Sequence, residues 1–336
     1  SLLIEADGSR GLPLKSPAAH EPAIPPWVEL VVVSAGLTGI GKPLTSDFVH
    51  RPQVFAHLGQ AALGELVSIQ HIAAAMIHPD GGQKNIPEKA RKVALLNQAD
   101  NRDLIATAAE AAESLLESYH AVVIAALKHP EVEVAAVHER IAGIILAAGQ
   151  SSRYGQPKIL LDWRGMPLIR KAAITAIAAG LSPVIVVLGA VTEPAITALH
   201  DLPVEVIMNE NWRSGQSQSI RAGISALPAQ TGGAIFLLGD QPQVTAGLLK
   251  ALCEEHRKSL APIIAPVVDG HRANPVLFDR ATYPHLNRLE GDRGGRALFS
   301  QFEVTQMSWF DNGLLLDIDT PQDYQKLLEM YGHDQP

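Results

Sequence analysis

The sequence predicts an α/β fold divided into two domains. Short β-branched and aliphatic runs recur along the chain and alternate with amphipathic helical patterns, which is typical of parallel sheets covered by helices. The chain has 336 residues, more than one common hydrophobic core accommodates. Between residues 128 and 140 the strand pattern gives way to charged residues, and a new series of strands begins at 141. We therefore expect one domain at 1–138 and a second at 139–336.

In the first domain, apolar runs predict four strands, at 1–10, 28–36, 90–100 and 121–130. The run at 28–36 is so continuously β-branched that it predicts a strand buried on both faces. Helical patterns lie at 54–68 and 101–118, and the Pro-rich stretch 11–27 predicts a loop.

In the second domain the same alternation predicts strands at 141–147, 183–189, 203–209, 233–240, 262–268 and 314–319. Helical patterns follow at about 166–180, 216–227 and 245–258, and a last helix begins at Pro321. Thr245 is well placed to cap the helix predicted at 245–258.

Composition excludes several functional classes. The net charge is −8 and no run of five basic residues occurs, which argues against a sequence-independent nucleic-acid surface. No apolar run reaches the roughly 18 residues that a membrane span needs. The single cysteine, Cys253, excludes an intramolecular disulfide and fits a reducing, cytoplasmic setting. The chain starts within a predicted strand and without Met, so we expect further sequence upstream.

The most informative motif is a glycine-containing loop, LAAGQSSRYGQPK, that directly follows the first strand of the second domain. Gly149 allows a sharp turn and a close approach of the backbone to a ligand. Backbone N–H groups and the hydroxyls of Ser151 and Ser152 can cradle phosphate oxygens. Arg153 can bind a phosphate through two parallel hydrogen bonds, and Lys158 adds a point charge. This order of residue types predicts a nucleotide-binding loop with catalytic cations.

Two acidic positions predict a magnesium site. Asp240 ends the strand at 233–240, where the carboxyl edge of an open sheet binds ligands. Asp319 ends the strand at 314–319, and Asp317 has the same facing by strand alternation, so it stays a weaker alternative. Mg²⁺ takes oxygen ligands and commonly keeps one or two carboxylates together with substrate phosphates.

The loop resembles the signature of the molybdenum cofactor nucleotidyltransferases and of their sugar and isoprenoid relatives. Its Leu-Ala-Ala-Gly form with Ser-Ser-Arg resembles the cytidylyltransferase branch, whereas the guanylyltransferase branch usually has Leu-Ala-Gly-Gly. Tyr154 replaces the family's Met. The resemblance implies a Rossmann-like, GT-A-like three-layer α/β/α sandwich for 139–336.

The resemblance also implies roles for individual residues. The catalytic residues would be Arg153, Lys158 and Asp240, and the metal ligands Asp240 and Asp319. Nucleotide contacts would come from Leu146, Ala147, Ala148, Gly149, Ser151, Ser152, Arg153, Lys158, Ser219 and Gly239. Two further loops, HRANP and EGDRGGR, resemble the acceptor side of the family, with Arg272, Asn274 and Asp292 as contacts.

The reaction implied is Mg²⁺-dependent transfer of CMP from CTP to the phosphate of a molybdopterin-type cofactor, with release of pyrophosphate. The product would serve molybdenum hydroxylases, so an apo-hydroxylase is an expected partner. Three alternatives stay open: GTP or another phosphate acceptor, a non-catalytic cofactor carrier, and an oxidoreductase. The last is disfavoured because no GxGxxG fingerprint follows any strand.

The first domain carries three partial nucleotide-binding patterns. Residues 36–43 nearly match a P-loop, but Pro43 stands where the Mg²⁺-binding hydroxyl belongs. Residues 2–8 resemble a strand ending in a Walker-B-type acid, and 97–100 resemble the guanine-reading motif of GTPases with Gln98 in place of Lys. Together with 8–15, these patterns resemble YqeC, an accessory protein type of molybdenum hydroxylases. The resemblance implies a partial P-loop-NTPase-like parallel sheet without its P-loop.

Overall fold

The computed structural model describes residues 2–128, 133–149 and 154–331. The chain forms two compact units, residues 1–139 and 140–336. Both are α/β, so the predicted fold class is confirmed. In the described part of the chain, no helix combines the length and the apolar character that crossing a membrane requires.

The first unit is built on three parallel strands, ordered β2–β4–β5, that are followed by the antiparallel first half of β6. Its strands are β1 (Leu14–Lys15), β2 (Leu30–Gly36), β3 (Val49–His50), β4 (Arg91–Asn97), β5 (Ala121–Ala126) and β6 (Glu133–Ala147). Its helices are α1 (Pro52–Leu58), α2 (Ile69–Ile77), α3 (Arg102–Glu110) and α4 (Ala112–Leu115). Residues of all four helices pack with alternate strand residues in one hydrophobic cluster.

Strand β2 is not buried on both faces, so that prediction is wrong. Leu30 and Val32 are 52% and 51% exposed, whereas Ala35 belongs to the hydrophobic cluster. Among the described residues β2 pairs only with β4. Alternate side chains of a strand point to opposite faces, and only one face of this edge strand is covered.

Two other predictions for this unit are wrong. The helix predicted at 54–68 ends at Leu58 as α1, Gln60 has a left-handed backbone with φ +56°, and residues 59–68 are not helical. The second helix, α2, starts after Ser68, whose side chain accepts a hydrogen bond from the backbone N–H of His71. No strand forms in residues 2–10.

The second unit continues from β6 and contains a mixed sheet. Four parallel strands are ordered β10–β9–β6–β11, and β14 then joins antiparallel, followed by β12 and β15. The strands are β7 (Asp162–Trp163), β8 (Met166–Pro167), β9 (Val184–Leu188), β10 (Glu205–Met208), β11 (Thr231–Leu238), β12 (Ile263–Val268), β13 (His271–Arg272), β14 (Val276–Asp279) and β15 (Val304–Ser308). The helices are α5 (Leu168–Ala178), α6 (Glu193–Leu199), α7 (Gln216–Ser225), α8 (Ala246–Ser259), α9 (Tyr283–Leu286) and α10 (Pro321–Tyr331).

Helices cover both faces of this sheet, which gives three layers. Ile145 and its neighbours on one face pack against α5 and α8. Ile144, the adjacent residue on β6, points to the other face and packs with Ile220 and Ile224 of α7. Because neighbouring strand residues alternate between two apolar clusters, the strands read as continuous hydrophobic runs in the sequence.

The strand predicted at 314–319 does not form. Residues 312–315 make a single turn of 3-10 helix, and 316–319 have no regular structure. The sequence pattern misses β14 and β15 of this sheet, and β15 pairs in parallel with β12 through the partly polar run VTQMS. The helices predicted near 166–180, 216–227 and 245–258 are confirmed as α5, α7 and α8, and Thr245 caps α8 through the backbone N–H of Leu248.

Candidate active site

The site lies where two neighbouring parallel strands, β6 and β11, end at the same edge of the sheet. Their register pairs Leu146 with Leu238, and the backbone N–H of Gly239 donates to the carbonyl of Leu146 at 3.1 Å. A Cβ added at Gly239 would lie 3.1 Å from the Cβ of Ala147, so a glycine keeps the two strand ends close. The sheet thereby brings the glycine-containing loop and Asp240 together around a cavity of about 520 Å³.

The beginning and the end of the loop are described, and its middle is not. Ala147, Ala148 and Gly149 line the cavity together with Leu146. Gly149 has no positive φ, and a Cβ built there would meet no atom of the described residues, so nothing in that part of the chain requires a glycine here. The predicted contacts Ser151, Ser152 and Arg153 lie outside the described residues.

Lys158 lies between the two predicted metal ligands. Its Nζ is 2.9 Å from Oδ2 of Asp240 and 3.6 Å from Oδ1 of Asp319, and it donates to the carbonyl of Ile318 at 2.7 Å. Burial by itself lowers the pKa of Lys158, but the two carboxylates outweigh it and raise that pKa above its usual value. The ammonium group is therefore a charged cation bracketed by carboxylates.

This arrangement fits a hard divalent cation. The carboxylates of Asp240 and Asp319 are close enough to share one ammonium group, and both line the cavity. Among the described residues, no group of three His, Cys, Asp or Glu side chains could hold a metal. A pair of carboxylates completed by substrate phosphates is the common pattern for Mg²⁺. The donors present therefore suit a divalent cation, and nucleotide phosphates would complete its coordination.

Asp317 lies at a second cavity and not at the first. Its Oδ1 accepts a hydrogen bond from Nε2 of Gln241 at 3.0 Å, and it lines a second cavity. Nε2 of Gln243 donates to the carbonyl of Leu316 at 2.8 Å. Two glutamines from the loop after Asp240 thus bind the segment that leads to Asp319.

The N-terminus of α7 forms the opposite wall of the first cavity. Ser219 lies there and is 5% exposed, and its Oγ accepts from Nδ2 of Asn209 at 2.9 Å. Gly215 precedes the helix with φ +104°, and a Cβ there would lie 2.3 Å from the carbonyl of Gly291. The backbone N–H of Ser217 donates to that same carbonyl. The second acceptor-like loop is therefore seated on the start of α7.

A second cavity of about 360 Å³ adjoins the first and shares Leu146, Leu238, Gln216 and Asp292 with it. Phe236, Phe278, Ile220 and Leu286 provide an apolar lining. Of the three predicted acceptor contacts, Asn274 and Asp292 line this cavity. Arg272 is exposed and stacks over the ring of Phe299, with Cζ 5.1 Å from the ring centroid, and it lines neither cavity.

The lining residues that the sequence analysis does not predict as contacts include Tyr154, Trp212 and Arg213. Trp212 lies close to Gly189, and the guanidinium of Arg213 stacks 4.3 Å above the ring of Trp212. The adjacent Trp-Arg pair just before the helix was the available signal. An exposed arginine on an aromatic ring is a recurrent binding feature.

In the first unit, the loop 36–43 lies beside 97–100, because β2 and β4 pair Gly36 with Asn97. A hydrogen bond joins Thr38 to Gln98. Lys42, the lysine of the P-loop-like pattern, lies over the ring of Phe48 at 5.7 Å. The two partial nucleotide motifs are thus neighbours, and the lysine makes an aromatic contact.

Residues 143–306 match the family model of the MobA-like NTP transferase domain. The nicotine blue oxidoreductase of Paenarthrobacter nicotinovorans is 30% identical over 198 residues, 56% of this chain and 96% of that protein. A probable molybdenum cofactor guanylyltransferase of Chloroflexus aggregans is 30% identical over 214 residues, 58% of this chain and 96% of that protein.

The solved structure of Rv0371c from Mycobacterium tuberculosis is 29% identical, with a TM-score of 0.52 over 56% of this chain and 98% of that one. Its complex with manganese gives a TM-score of 0.50 at 28% identity, with the same coverage of both chains. A divalent cation is thus present in a structure of the same fold.

Residues 1–53 match the family model of the YqeC protein. The YqeC protein of Escherichia coli is 37% identical over 97 residues, which is 29% of this chain. This chain spans 38% of the length of that YqeC protein.

Proposed function

Because the chain belongs to the MobA-like NTP transferase family and is a nucleotidyltransferase, we propose that it transfers CMP from CTP to the phosphate of a molybdopterin-type cofactor. The observation that carries the proposal is the position of Lys158 between Asp240 and Asp319 at the edge of the cavity behind the nucleotide loop. The C. aggregans relative, named for molybdenum cofactor guanylyl transfer, supports the class of acceptor.

The reaction needs positioning and charge neutralisation. An oxygen of the acceptor phosphate forms a bond to the α-phosphorus of CTP, the bond from that phosphorus to the bridging oxygen breaks, and pyrophosphate leaves. The acceptor phosphate is already ionised, so no general base is required. Lys158 and Arg153 would offset the charge that develops on the phosphate oxygens. Asp240 and Asp319 would hold Mg²⁺, which supplies further charge neutralisation there.

The choice of CTP over GTP is proposed from Ala148. This residue lines the cavity, and its methyl group lies close to Gly189 at the end of β9, where an added Cβ would lie 2.8 Å from it. A glycine at 148 would leave more room at that wall. The smaller cavity favours the smaller pyrimidine base, in accord with the Leu-Ala-Ala-Gly form of the loop.

The second cavity is proposed as the acceptor site. Its apolar lining, with Phe236 and Phe278, suits a flat heterocycle, and Asn274 and Asp292 offer hydrogen bonds to a ring edge. Because the two cavities share wall residues, an acceptor there would lie next to the nucleotide. We also propose that the product is delivered to an apo-hydroxylase and that the protein acts in the reducing cytoplasm.

Pyrophosphate release with Mg²⁺ and molybdenum-pterin acceptor tests the proposal, with CTP, GTP and ATP compared at equal concentration. We expect release that depends on the acceptor and is fastest with CTP. Preference for GTP would contradict the assignment of the nucleotide, and release that ignores the acceptor would contradict the acceptor class. If no pyrophosphate is released but the protein binds the molybdenum-pterin cofactor tightly, a carrier role would replace the catalytic one.

The name of the P. nicotinovorans relative points to a second candidate, an oxidoreductase. Oxidation of NADH or NADPH with a quinoid dye as acceptor, followed by absorbance, tests it directly. We expect no oxidation above the rate without protein. Turnover that survives Asp240→Ala would favour the oxidoreductase, because that chemistry has no use for a phosphate-bound cation.

A further inference from the structure

The segment that carries Asp319 is not part of the sheet. Residues 316–319 have no regular structure, so no ladder of backbone hydrogen bonds fixes them. Ile318 is 2% exposed and packs with Trp163 and Leu327, and its carbonyl accepts a hydrogen bond from Nζ of Lys158. Further contacts at Leu316 and Asp317 contribute to where Asp319 lies relative to Asp240.

Gln243 makes one such contact. It is 3% exposed, and its Nε2 donates to the backbone carbonyl of Leu316 at 2.8 Å. A carbonyl can only accept, so the amide must present its NH₂ group and turn its oxygen away. That Oε1 is buried and has no hydrogen-bond partner among the described residues. A buried oxygen that is left unpaired destabilises the folded state, because it has lost its hydrogen bonds to water.

Gln241 repeats the arrangement two residues earlier. It is 4% exposed, its Nε2 donates to a carboxylate oxygen of Asp317, and its buried Oε1 is also without a partner in the described part of the chain. The same orientation is forced, since an ionised carboxylate also only accepts. In the described part of the chain, each of these two buried amides thus leaves its oxygen without a hydrogen-bond partner, while its nitrogen binds the same short segment.

We infer that Gln241 and Gln243 are positioning residues that join the loop of Asp240 to the segment of Asp319 and thereby set the separation of the two carboxylates. The inference rests on the proposed metal site. Residues that support metal ligands through hydrogen bonds typically contribute 10- to 100-fold to metal affinity. The pair would therefore determine how tightly the protein binds a divalent cation, before any nucleotide is turned over.

The test is Mn²⁺ affinity of the full chain without nucleotide, measured by electron paramagnetic resonance of the free ion. Gln243→Met keeps the length of the side chain and loses the donor. We expect at least about 10-fold weaker Mn²⁺ binding. Gln243→Glu places an acceptor against the carbonyl of Leu316 and should weaken binding at least as much. Either variant suffices if the other does not fold.

Thr245→Ala is the matched structural control. It removes the cap of α8, two residues from Gln243, and the hydroxyl that is lost bonds the backbone N–H of Leu248 in that helix. We expect a lower Tm with unchanged Mn²⁺ affinity. Wild-type affinity in a folded Gln243→Met would overturn the inference, and so would equal losses in Gln243→Met and Thr245→Ala.

Asp240→Ala separates this inference from the proposed function. Loss of Mn²⁺ binding in Asp240→Ala with wild-type binding in Gln243→Met contradicts the positioning role alone. Wild-type binding in Asp240→Ala contradicts the metal site itself.

Discussion

Lys158 carries its charge into a site with two carboxylates, and its removal should affect the reaction more than the fold. The ammonium group is within 3.6 Å of both acids and is 17% exposed. We expect Lys158→Met to lower kcat about 100-fold or more, because a fixed charge near the reacting phosphate is lost. Lys171→Met is the control, since Lys171 bonds Thr175 on α5 and lies outside the cavity. Equal kcat values for the two variants would contradict the role of Lys158.

Ala148 should influence the choice of nucleotide. Ala148→Gly removes the methyl group that lies against Gly189, so the cavity gains room beside the base. We expect the ratio of kcat/KM for CTP to that for GTP to fall about 10-fold, the scale of one methyl-sized change in a pocket. Competition between the two nucleotides in one reaction measures the ratio. Ala147→Gly, in the same loop, should leave it unchanged, and a shift of equal size there would contradict the prediction.

Glu21 should make the first unit sensitive to acid. The guanidinium of Arg51 binds its carboxylate through two hydrogen bonds and lowers the pKa of Glu21 from 4.5 to about 2. A lowered pKa in the folded state adds stability above pH 4.5, and this stability disappears as pH falls from 4.5 toward 2. Urea unfolding should show Glu21→Gln less stable than wild type at pH 7, with a smaller difference at pH 3. Glu29→Gln, at an exposed position, should show no such convergence.

Some individual residues of the candidate site could be predicted from the sequence. Lys158, Asp240 and Asp319 were predicted because a phosphate-binding loop and strand-terminal acids have recognisable residue types in a fixed order. Trp212 and Arg213 were missed because single exposed residues in a turn follow no period. Arg272 was chosen for its charge, and the structure places that charge over Phe299.

The start of α7 and the loop that crosses it form one interlocked element. An alanine at Gly215 would need φ +104° and would place its Cβ 2.3 Å from the carbonyl of Gly291. We expect Gly215→Ala to displace the loop that carries Asp292 and to raise the KM for the acceptor several-fold. Gly180→Ala is the control, because Gly180 has φ +80° and open space around it.

The Gly180→Ala control separates the effect of backbone strain from the effect of the contact with Gly291. Gly180→Ala should cost about 1 kcal/mol of stability, which is the penalty of a left-handed backbone, and leave the KM unchanged. A Gly215→Ala protein with wild-type KM for the acceptor would show that the loop does not depend on this contact.

Elements were predictable where local pattern and tertiary position agree. Helices α5, α7 and α8 have apolar residues on one side and clear starts, so their periodicity sufficed. The run at 314–319 resembles a strand, but Leu314, Leu316 and Ile318 pack in two hydrophobic clusters instead of joining the sheet, and Leu315 is exposed. Strand β15 has a polar pattern and forms because β12 offers it a partner. Such pairing depends on residues 40 positions away, which a local pattern does not contain.

At the scale of the whole molecule, nucleotide binding should slow amide hydrogen exchange in only a few segments of the chain. We expect Mg²⁺ with CTP to slow amide hydrogen exchange at 146–149, 158–160 and 238–243, because binding stabilises the closed backbone there. Mass spectrometry of peptides measures this without any assay of turnover. Protection at 36–43 without protection at 146–149 would place the nucleotide in the first unit and contradict the proposed site. CTP without Mg²⁺ is the control and should protect less.

The hold of Gln241 and Gln243 on residues 316–319 has an evolutionary consequence. A ligand carried by a strand can move only when the strand shifts register, and a shift of one residue turns every side chain to the other face. A ligand held by two side-chain amides can be moved by a single codon change. Where Asp319 holds the cation as we propose, one substitution at Gln241 or Gln243 in a paralogue would therefore change the cation preference, or abolish cation binding, and leave the sheet intact.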